Sequence, residues 1–286
     1  MDQRVIDLYN VYIHGDMPRR DFLQRLAGIA GSVAAASALL PLIECNYARA
    51  AEVPADHPDL ETGYASYAGA KGAVRAYVAR PKKPGALPGV VVIHENRGLN
   101  AHIEDVARRA ALAGYVAVAP DGLSAFGGAP ADQEQARDLF GKSDRAVIDA
   151  DVISAVGYVA SRKDGSGKIG AVGFCYGGGM ALQCAAEHPE ITAAVAFYGS
   201  ALPPEKVAKV KAPLTMHYAG KDERIDAGIN DFRAALDAHE IAYSIHMYPG
   251  TQHGFHNDSS EGRYDAVAAK LAWARSIAFF DHYLKA

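Results

Sequence analysis

Short, continuously apolar segments alternate along this chain with longer segments in which apolar residues recur every three or four positions. The short segments predict strands buried on both faces of a sheet, at residues 74–79, 89–94, 115–119, 169–174, 193–198 and 214–218. Residues 243–248 alternate more and are expected nearer an edge. The longer segments predict helices, at residues 102–113, 131–162 (as two helices), 176–188, 228–239 and 264–283.

Strands that alternate with helices predict an α/β fold, with a mainly parallel sheet covered by helices on both faces. Residues 51–286 are long enough to form this fold as a single domain. The connection between the predicted strands that end at Tyr198 and begin at Leu214 is short. It leaves no room for a large cap domain, so we expect an open site.

The first 50 residues differ from the rest of the chain. Arg19 and Arg20 are followed by an uncharged segment, residues 26–43, and then by the small residues Ala48 and Ala50. This order is typical of an export leader, and paired arginines resemble a twin-arginine signal. We therefore predict a leader at residues 1–50 cleaved after Ala50, the export machinery as a partner, and a periplasmic or exported protein.

One feature of this segment disagrees with a leader. Up to Arg25 the chain has four arginines and four aspartates, so it carries no net positive charge there. The uncharged segment is also short and only weakly apolar for a membrane span. The alternatives are an uncleaved membrane anchor, or an N-terminal helix that docks on the domain of a cytoplasmic protein.

Composition excludes several classes of protein. Half of the 286 residues are hydrophobic and 22% are charged, which is typical of a globular chain and not of a disordered one. The net charge of −4 does not suit a nucleic-acid-binding protein, which needs a basic face. The three cysteines, Cys45, Cys175 and Cys184, are too few for a disulfide scaffold.

The motif Gly-Phe-Cys-Tyr-Gly-Gly at residues 173–178 follows a predicted buried strand and opens a helix. It matches the G-x-S-x-G nucleophile elbow, with Cys175 in place of serine. The glycines permit a strained turn, and the helix N-terminus favours a thiolate. A buried structural cysteine is the alternative. The glycine spacing does not fit a dinucleotide site, and Gly-Ser-Gly-Lys at residues 165–168 lacks the upstream glycine and the following Ser or Thr of a phosphate-binding loop.

A nucleophile needs a base, and the base needs an orienting acid. Asp222 and His253 each follow a predicted strand, and the order nucleophile, acid, histidine is that of the α/β-hydrolase fold. Asp226 and His256 are the nearest competitors. These histidines have no third ligand at diagnostic spacing, so no metal site is predicted.

The loop at residues 94–98 follows the second predicted strand, where this fold supplies one donor of the oxyanion hole. The other donor is the residue after the nucleophile. We therefore assign this role to the backbone N–H groups of Asn96 and Tyr176. Glu95 and Arg97 lie in the same loop, and a salt bridge between them is the simplest role for both.

At these residues the chain resembles the dienelactone hydrolase family, over roughly residues 74–284. The shared motifs are His-Glu-Asn-Arg-Gly at 94–98, Ala-Pro-Asp-Gly at 119–122, the elbow, Asp222 and His-Gly-Phe at 253–255. The resemblance implies that the cysteine attacks a lactone or ester carbonyl and that Asp222 and His253 complete a triad. It also implies that Glu95 contacts the resting thiol and helps to gate its activation.

The chain departs from the family where members that act on the anionic dienelactone have arginines. It offers Ser124 and Asn257 there, which are neutral, and Asp258, which would repel anions. Arg97 is the nearby cation. We therefore expect neutral esters and uncharged lactones to be preferred. Further candidates for substrate contacts are Tyr198 and Phe255, although core packing explains both equally well.

These observations predict a hydrolase that cleaves a small-molecule lactone or carboxylic ester through an acyl-thioenzyme, without a cofactor. One alternative is a general carboxylesterase acting on neutral esters. Another, of a different class, is a non-catalytic protein that uses Cys175 as a redox-sensing thiol. Such a sensor needs a resolving cysteine, and Cys184 is badly placed for that role. The sequence does not predict the oligomeric state.

Overall fold

A central sheet of eight strands organises the computed structural model, which describes residues 1–15, 17–44 and 52–286. The strand order is β1-β2-β4-β3-β5-β6-β7-β8. β1 pairs with β2 and β2 with β4 in antiparallel fashion, and the remaining pairs are parallel. The strands are β1 Leu60–Gly69, β2 Gly72–Pro81, β3 Leu87–Ile93, β4 Val116–Pro120, β5 Gly165–Phe174, β6 Ile191–Phe197, β7 Leu214–Lys221 and β8 Tyr243–Gln252.

Helices cover both faces of this sheet and form two apolar layers. Successive residues of a central strand face opposite layers, because Val90 and Val92 join one layer and Val91 joins the other. The helices are α1 Gln3–His14, α2 Arg19–Ala30, α3 Val33–Ile43, α4 Ala101–Leu112, α5 Gln133–Lys142, α6 Arg145–Ile153, α7 Ala155–Ala160, α8 Tyr176–Glu187, α9 Pro204–Val207, α10 Glu223–Asp226, α11 Ile229–Ala238 and α12 Ala266–Leu284. The predicted α/β-hydrolase fold is confirmed.

Two elements differ from the sequence prediction. β1 was not predicted, because as an edge strand it buries only Leu60 and Tyr67 and its pattern is mostly polar or small. Residues 131–162 form three helices and not two, since Asp144 caps α6 and the chain turns again at Ser154. Between β6 and β7 lies only the four-residue helix α9, as the short connection predicted.

The N-terminal helical segment, which we define as α1, α2 and α3, has a small core of its own. Tyr9, Tyr12, Phe22 and Leu26 are all buried in it, and the rings of Tyr12 and Phe22 stack with centroids 4.3 Å apart. These residues recur at the spacings of a helix face. The segment docks on the domain at the carboxyl ends of the parallel strands, where the backbone oxygen of Ile13 accepts a hydrogen bond from the Asn96 side chain.

The arginine pair that suggested a leader lies at the start of α2. Arg19 pairs with Glu44 at 3.1 Å and with Glu134 of α5 at 2.9 Å. In the part of the chain that the structure describes, no single helix is long and apolar enough to cross a membrane, and α2 and α3 pass such a test only as a pair bent by 109°. Cys45 and the expected cleavage site at 48–50 lie outside the described residues, so the twin-arginine leader stays a prediction.

Replacing Phe22 by alanine should loosen the N-terminal helical segment selectively. Removing a fully buried aromatic ring costs about 3 kcal/mol or more, and the small core has few other large side chains to compensate. We expect faster amide hydrogen exchange in α1 and α2, with little change in the sheet. Val33, which is 74% exposed, provides the control Val33→Ala. Unchanged exchange in α1 of the Phe22→Ala variant would contradict this packing.

Candidate active site

A sharp turn between β5 and α8 presents Cys175 at the carboxyl edge of the sheet. The backbone of Cys175 has φ 55° and ψ −113°, a strained conformation for a residue with a side chain. A Cβ atom on Gly173 would lie 1.9 Å from the Gly177 oxygen, and one on Gly177 would lie 2.4 Å from the Ile93 oxygen. Only glycine fits at either position. The motif therefore forms the strained strand-to-helix turn that the sequence predicted.

His253 and Asp222 meet beside this turn. His253 follows β8, Asp222 follows β7, and Nδ1 of the histidine lies 2.5 Å from Oδ2 of the aspartate. Both side chains are buried. The carboxylate accepts the Nδ1 proton, so Nε2 is the atom of His253 that can take up or release a second proton. This Nε2 atom is buried and has no hydrogen-bond partner within the described ranges.

The charges around His253 favour its protonated form. Burial acts to lower the pKa of His253, but the negative charge of a Cys175 thiolate and the hydrogen bond with Asp222 outweigh burial and raise the pKa to about 9. An imidazole of this kind accepts a thiol proton readily. The pair of His253 and Asp222 therefore has the geometry and the electrostatics of a general base with its orienting acid.

The competitors that the sequence left open lie elsewhere. The ring of His256 stacks on Phe174 with centroids 4.9 Å apart, inside the core. Burial holds the pKa of His256 well below its ordinary value, so this ring stays neutral. Asp226 ends helix α10, and Nδ1 of His253 is hydrogen-bonded to Asp222 instead.

The two proposed oxyanion donors flank the elbow. Tyr176 is the first residue of α8, where backbone N–H groups have no acceptor within the helix. The close approach of Gly177 to Ile93 brings the loop that contains Asn96 next to this helix start. The Tyr176 hydroxyl donates to Asp149 at 2.8 Å, so its side chain points away along the cleft.

Glu95 does not contact the thiol. Its Oε2 atom accepts a hydrogen bond from the Asn257 amide at 2.7 Å, and its Oε1 atom accepts one from the Tyr198 hydroxyl at 3.5 Å. No hydrogen bond joins Glu95 to Cys175 in the described part of the chain. The family resemblance implied a contact of Glu95 with the thiol. In its place the Glu95 carboxylate accepts a hydrogen bond from Asn257.

Two further candidates have structural roles. Arg97 is 2% exposed, and it donates to the Tyr9 hydroxyl at 3.2 Å and to the Asn96 side chain at 3.4 Å. It therefore holds α1 and does not face a substrate. Phe255 has no exposed surface and packs in the core with its ring 4.9 Å from that of Tyr248. Neither side chain lines the clefts that open beside α1.

His14, at the end of α1, is the residue that sequence analysis missed. Its Nε2 atom lies 3.3 Å from Sγ of Cys175, and its ring meets that of His253 edge-on at 4.7 Å. Its Nδ1 atom bonds the backbone oxygen of Asn10 at 3.0 Å. Burial holds the pKa of His14 well below its ordinary value. The helical periodicity of Val5, Tyr9 and Tyr12 was the available signal.

α1 therefore covers the site, and the expectation of an open site is wrong. The cover comes from the N-terminus and not from an insertion between strands. A cleft of about 940 Å³ opens on one side of α1, where Cys175, Tyr176 and Tyr198 are among the lining residues. A second cleft, of about 840 Å³, reaches Asp222 and His253 from the other side.

Arg224 is a cation that lines both clefts, whereas Arg97 lines neither. The first cleft is also lined by Arg19, Arg137, Lys142 and Arg145, and the second by Lys221. The charge of Arg224 acts on His14. Within the ranges that the structure describes, no ion pair joins Arg224 to a carboxylate. The exposed guanidinium is therefore available to a ligand that enters either cleft.

Asp258 is paired within the protein, and it does not repel anions from the site. It accepts hydrogen bonds from His102 at 2.8 Å and from Arg109 at 2.5 Å. Burial alone would raise the pKa of Asp258, but the hydrogen bond and the charges of these two partners outweigh burial and hold the pKa well below its ordinary value. The loop that carries His253 is thus tied to α4.

Both the N-terminal helical segment and the domain resemble known proteins. Residues 74–284 match the model of the dienelactone hydrolase family, and residues 1–31 match a model described as YqhI-like. A "Putative carboxymethylenebutenolidase" of Salmonella typhi is 34% identical over 224 residues, which is 73% of this chain and 82% of the relative. Another of that name, from Saccharolobus solfataricus, is 33% identical over 72% of this chain and 93% of its own length.

A solved structure from Klebsiella pneumoniae subsp. pneumoniae, described as a "Putative Dienelactone Hydrolase", superimposes with a TM-score of 0.70 at 30% identity. The match covers 78% of this chain and 99% of that protein. The similarity therefore spans most of this chain and nearly the whole of that protein.

Replacing Asp258 by asparagine should destabilise the protein in a pH-dependent way. The depressed pKa means that the ionised carboxylate stabilises the fold above the unfolded pKa of about 3.9, and that this stabilisation is lost as the pH falls. We expect Asp258→Asn to lower the free energy of unfolding by about 2 kcal/mol at pH 7, and by less below about pH 4. Urea unfolding at the two pH values measures both losses. The exposed Asp56 provides the control Asp56→Asn. An equal loss of unfolding free energy in Asp258→Asn at neutral and at acidic pH would contradict this account.

Proposed function

The chain belongs to the dienelactone hydrolase family, whose members hydrolyse lactones or esters, and we propose that it does so with Cys175 as nucleophile, His253 as general base and Asp222 as orienting acid. The family membership supports the reaction class. The observation that carries the assignment of residues is the convergence of three separate loops: the elbow, the loop after β7 and the loop after β8 bring these side chains to one edge of the sheet.

Acylation would begin when the Cys175 thiol proton passes to Nε2 of His253. The sulfur forms a bond to the substrate carbonyl carbon, and the carbonyl oxygen becomes an oxyanion. The N–H groups of Asn96 and Tyr176 would stabilise that charge, an interaction typically worth orders of magnitude in rate. The carbon–oxygen bond to the leaving group then breaks, and His253 returns its proton to the departing alkoxide.

Deacylation would repeat these steps with water as the nucleophile. His253 takes a proton from the water, whose oxygen attacks the thioester carbonyl. Collapse of the second tetrahedral intermediate releases a carboxylic acid and restores the thiol with the proton held by His253. The 2.5 Å contact with Asp222 fixes the ring orientation and stabilises the imidazolium in both halves of the reaction.

The surroundings of the second described cysteine argue against a redox sensor. Cys184 lies further along α8, has no exposed surface, and has its pKa raised to about 12 by burial. A thiol in that environment is unreactive. Cys175 immediately precedes α8 and Cys184 lies nine residues further along the chain, so roughly 13 Å of helical rise separates them, beyond the reach of a disulfide.

The residues at the two positions where the family uses arginine favour a neutral substrate over an anionic one. Ser124 donates to the backbone oxygen of Asp121 and accepts from the backbone of Arg75, while Asn257 is bound to Glu95. Neither residue supplies a positive charge at the positions where the family uses arginine. The cations that line the clefts lie outside these two positions, and Arg224, which lines both clefts, is exposed.

Replacing Cys175 by alanine should abolish hydrolysis of p-nitrophenyl acetate, with kcat falling by at least about 1000-fold, because the reaction loses its covalent step. Cys184→Ala is the matched control, since it removes a thiol from the same helix without touching the site, and it should keep most of the activity. His253→Ala should lose activity as Cys175→Ala does. Equal loss in both cysteine variants, with unchanged circular dichroism, would overturn the assignment.

A neutral ester should have a higher kcat/KM than a carboxylate-bearing lactone of matched reactivity. Without one buried charge-assisted hydrogen bond, the kcat/KM of the anionic substrate should be lower by about ten- to a hundredfold. The measurement compares the two substrates in the wild-type protein and in Arg224→Gln. A preference for the anionic substrate that disappears in Arg224→Gln would contradict the expectation and assign carboxylate binding to Arg224.

A further inference from the structure

We propose that His14, Cys175 and His253 together form a binding site for a borderline-soft divalent cation such as Zn²⁺, and that the bound ion inhibits the hydrolase reversibly. The binding itself depends only on the geometry of the three side chains. The inhibitory effect rests on the proposed roles of Cys175 and His253.

The three potential ligand atoms are already close together. Nε2 of His14 lies 3.3 Å from Sγ of Cys175, and ligand atoms of all three residues lie within 4.8 Å of one another. Zinc binds sulfur at about 2.3 Å and imidazole nitrogen at about 2.0–2.1 Å, so tetrahedral ligand atoms are roughly 3.4 Å apart. Small side-chain rotations would bring this cluster to the required spacing.

The hydrogen bonds on the far sides of the two imidazoles orient them for a cation. The Asn10 backbone oxygen can only accept, so Nδ1 of His14 carries a proton and Nε2 presents a lone pair to the sulfur. Asp222 imposes the same tautomer on His253. Two imidazole nitrogens thus face one sulfur, and the one proton that Cys175 and His253 share can satisfy only one of those nitrogens. A cation at this point would satisfy all three atoms.

These far-side bonds also match the way proteins hold metal-binding histidines, whose second ring nitrogen is bound to a carboxylate or a backbone oxygen. The donor set of one thiolate and two imidazoles suits Zn²⁺ and its spectroscopic substitute Co²⁺, and it does not suit the oxygen-seeking ions Mg²⁺ and Ca²⁺. Three protein ligands leave a fourth position for a water molecule from the cleft.

Metal binding would displace the thiol proton to solvent and form a metal–sulfur bond with the electron pair that otherwise attacks the substrate. The lone pair of His253 would be occupied at the same time. The site would then lack both its nucleophile and its base until a chelator removed the ion.

The third ligand, His14, belongs to the N-terminal helical segment, so the site exists only while α1 is docked. Docking depends on the contacts of Arg97 with Tyr9 and of Asn96 with Ile13. Since a ligand stabilises the state that binds it, the metal would also stabilise the docked segment. The same α1 that covers the site would thereby make its inhibition by metal possible.

The test is a titration of the metal-free, full-length protein with Co²⁺, followed by absorption spectroscopy. We expect a thiolate-to-metal charge-transfer band together with the visible bands of tetrahedral cobalt. His14→Ala should weaken binding by at least about 100-fold, more than the loss of a residue behind a ligand typically does. The control His239→Ala removes an exposed histidine at the end of α11 and should bind as the wild type does.

A second variant keeps the test valid if His14→Ala disturbs the docking of α1. Cys175→Ser retains both imidazoles and should lose the charge-transfer band. Zn²⁺ should also protect Cys175 from iodoacetamide, as read by mass spectrometry. The inference is overturned if the wild type shows no charge-transfer band, if Cys175→Ser keeps it, or if His14→Ala and His239→Ala bind equally.

Hydrolysis measured in parallel separates this inference from the proposed function. Zn²⁺ should inhibit turnover of p-nitrophenyl acetate, and a chelator should restore it, whereas Mg²⁺ should have no effect. If the cobalt spectra are as expected but the protein has no hydrolase activity, the proposed function is wrong and the metal site is supported. Hydrolase activity without the cobalt spectra would support the proposed function and contradict the metal site. Activation by Zn²⁺ would contradict the inhibitory role of the ion.

Discussion

The turn at Cys175 is the constraint on which the rest of the site depends. Three segments of backbone approach so closely there that side chains are excluded, since a Cβ atom on Gly178 would lie 2.7 Å from the Phe197 oxygen and one on Gly173 would lie 1.9 Å from the Gly177 oxygen. The position of the sulfur is therefore fixed by backbone. The sheet and the turn thus define where the sulfur lies. The loops after β7 and β8 bring Asp222 and His253 to that position.

The second determinant of the site is the N-terminal helical segment. Its internal packing is apolar, while the contacts that dock it near the site are hydrogen bonds, such as those of Tyr9 and Ile13 with the loop at 94–98. A small core joined to the domain by polar contacts has a lower free energy of local opening than a central sheet. This segment places His14 beside the sulfur. His14 from α1 and His253 from the loop after β8 therefore both lie next to the Cys175 thiol.

Much of the fold and the site could be predicted because it rests on local pattern and strand order. Continuous apolar segments identified the parallel strands, and Cys175, Asp222 and His253 each follow one of them. β1 was missed because an edge strand with few buried residues has little pattern. A docked N-terminal helix was only an alternative prediction, because the Ala-rich α3 matches an export leader in composition. Its place over the site could not be predicted, because docking depends on pairs such as Tyr9 with Arg97 that are far apart in sequence. The position of Glu95 likewise depends on a distant donor, Asn257.

The most direct test of the account is rapid quenching of the wild-type protein during turnover of p-nitrophenyl acetate, followed by peptide mass spectrometry. The account predicts an acetyl group on the peptide that contains Cys175, carried as a base-labile thioester, and none on the Cys184 side chain. Acetylation of a serine, or steady turnover with Cys175 unmodified at every quench time, would contradict it.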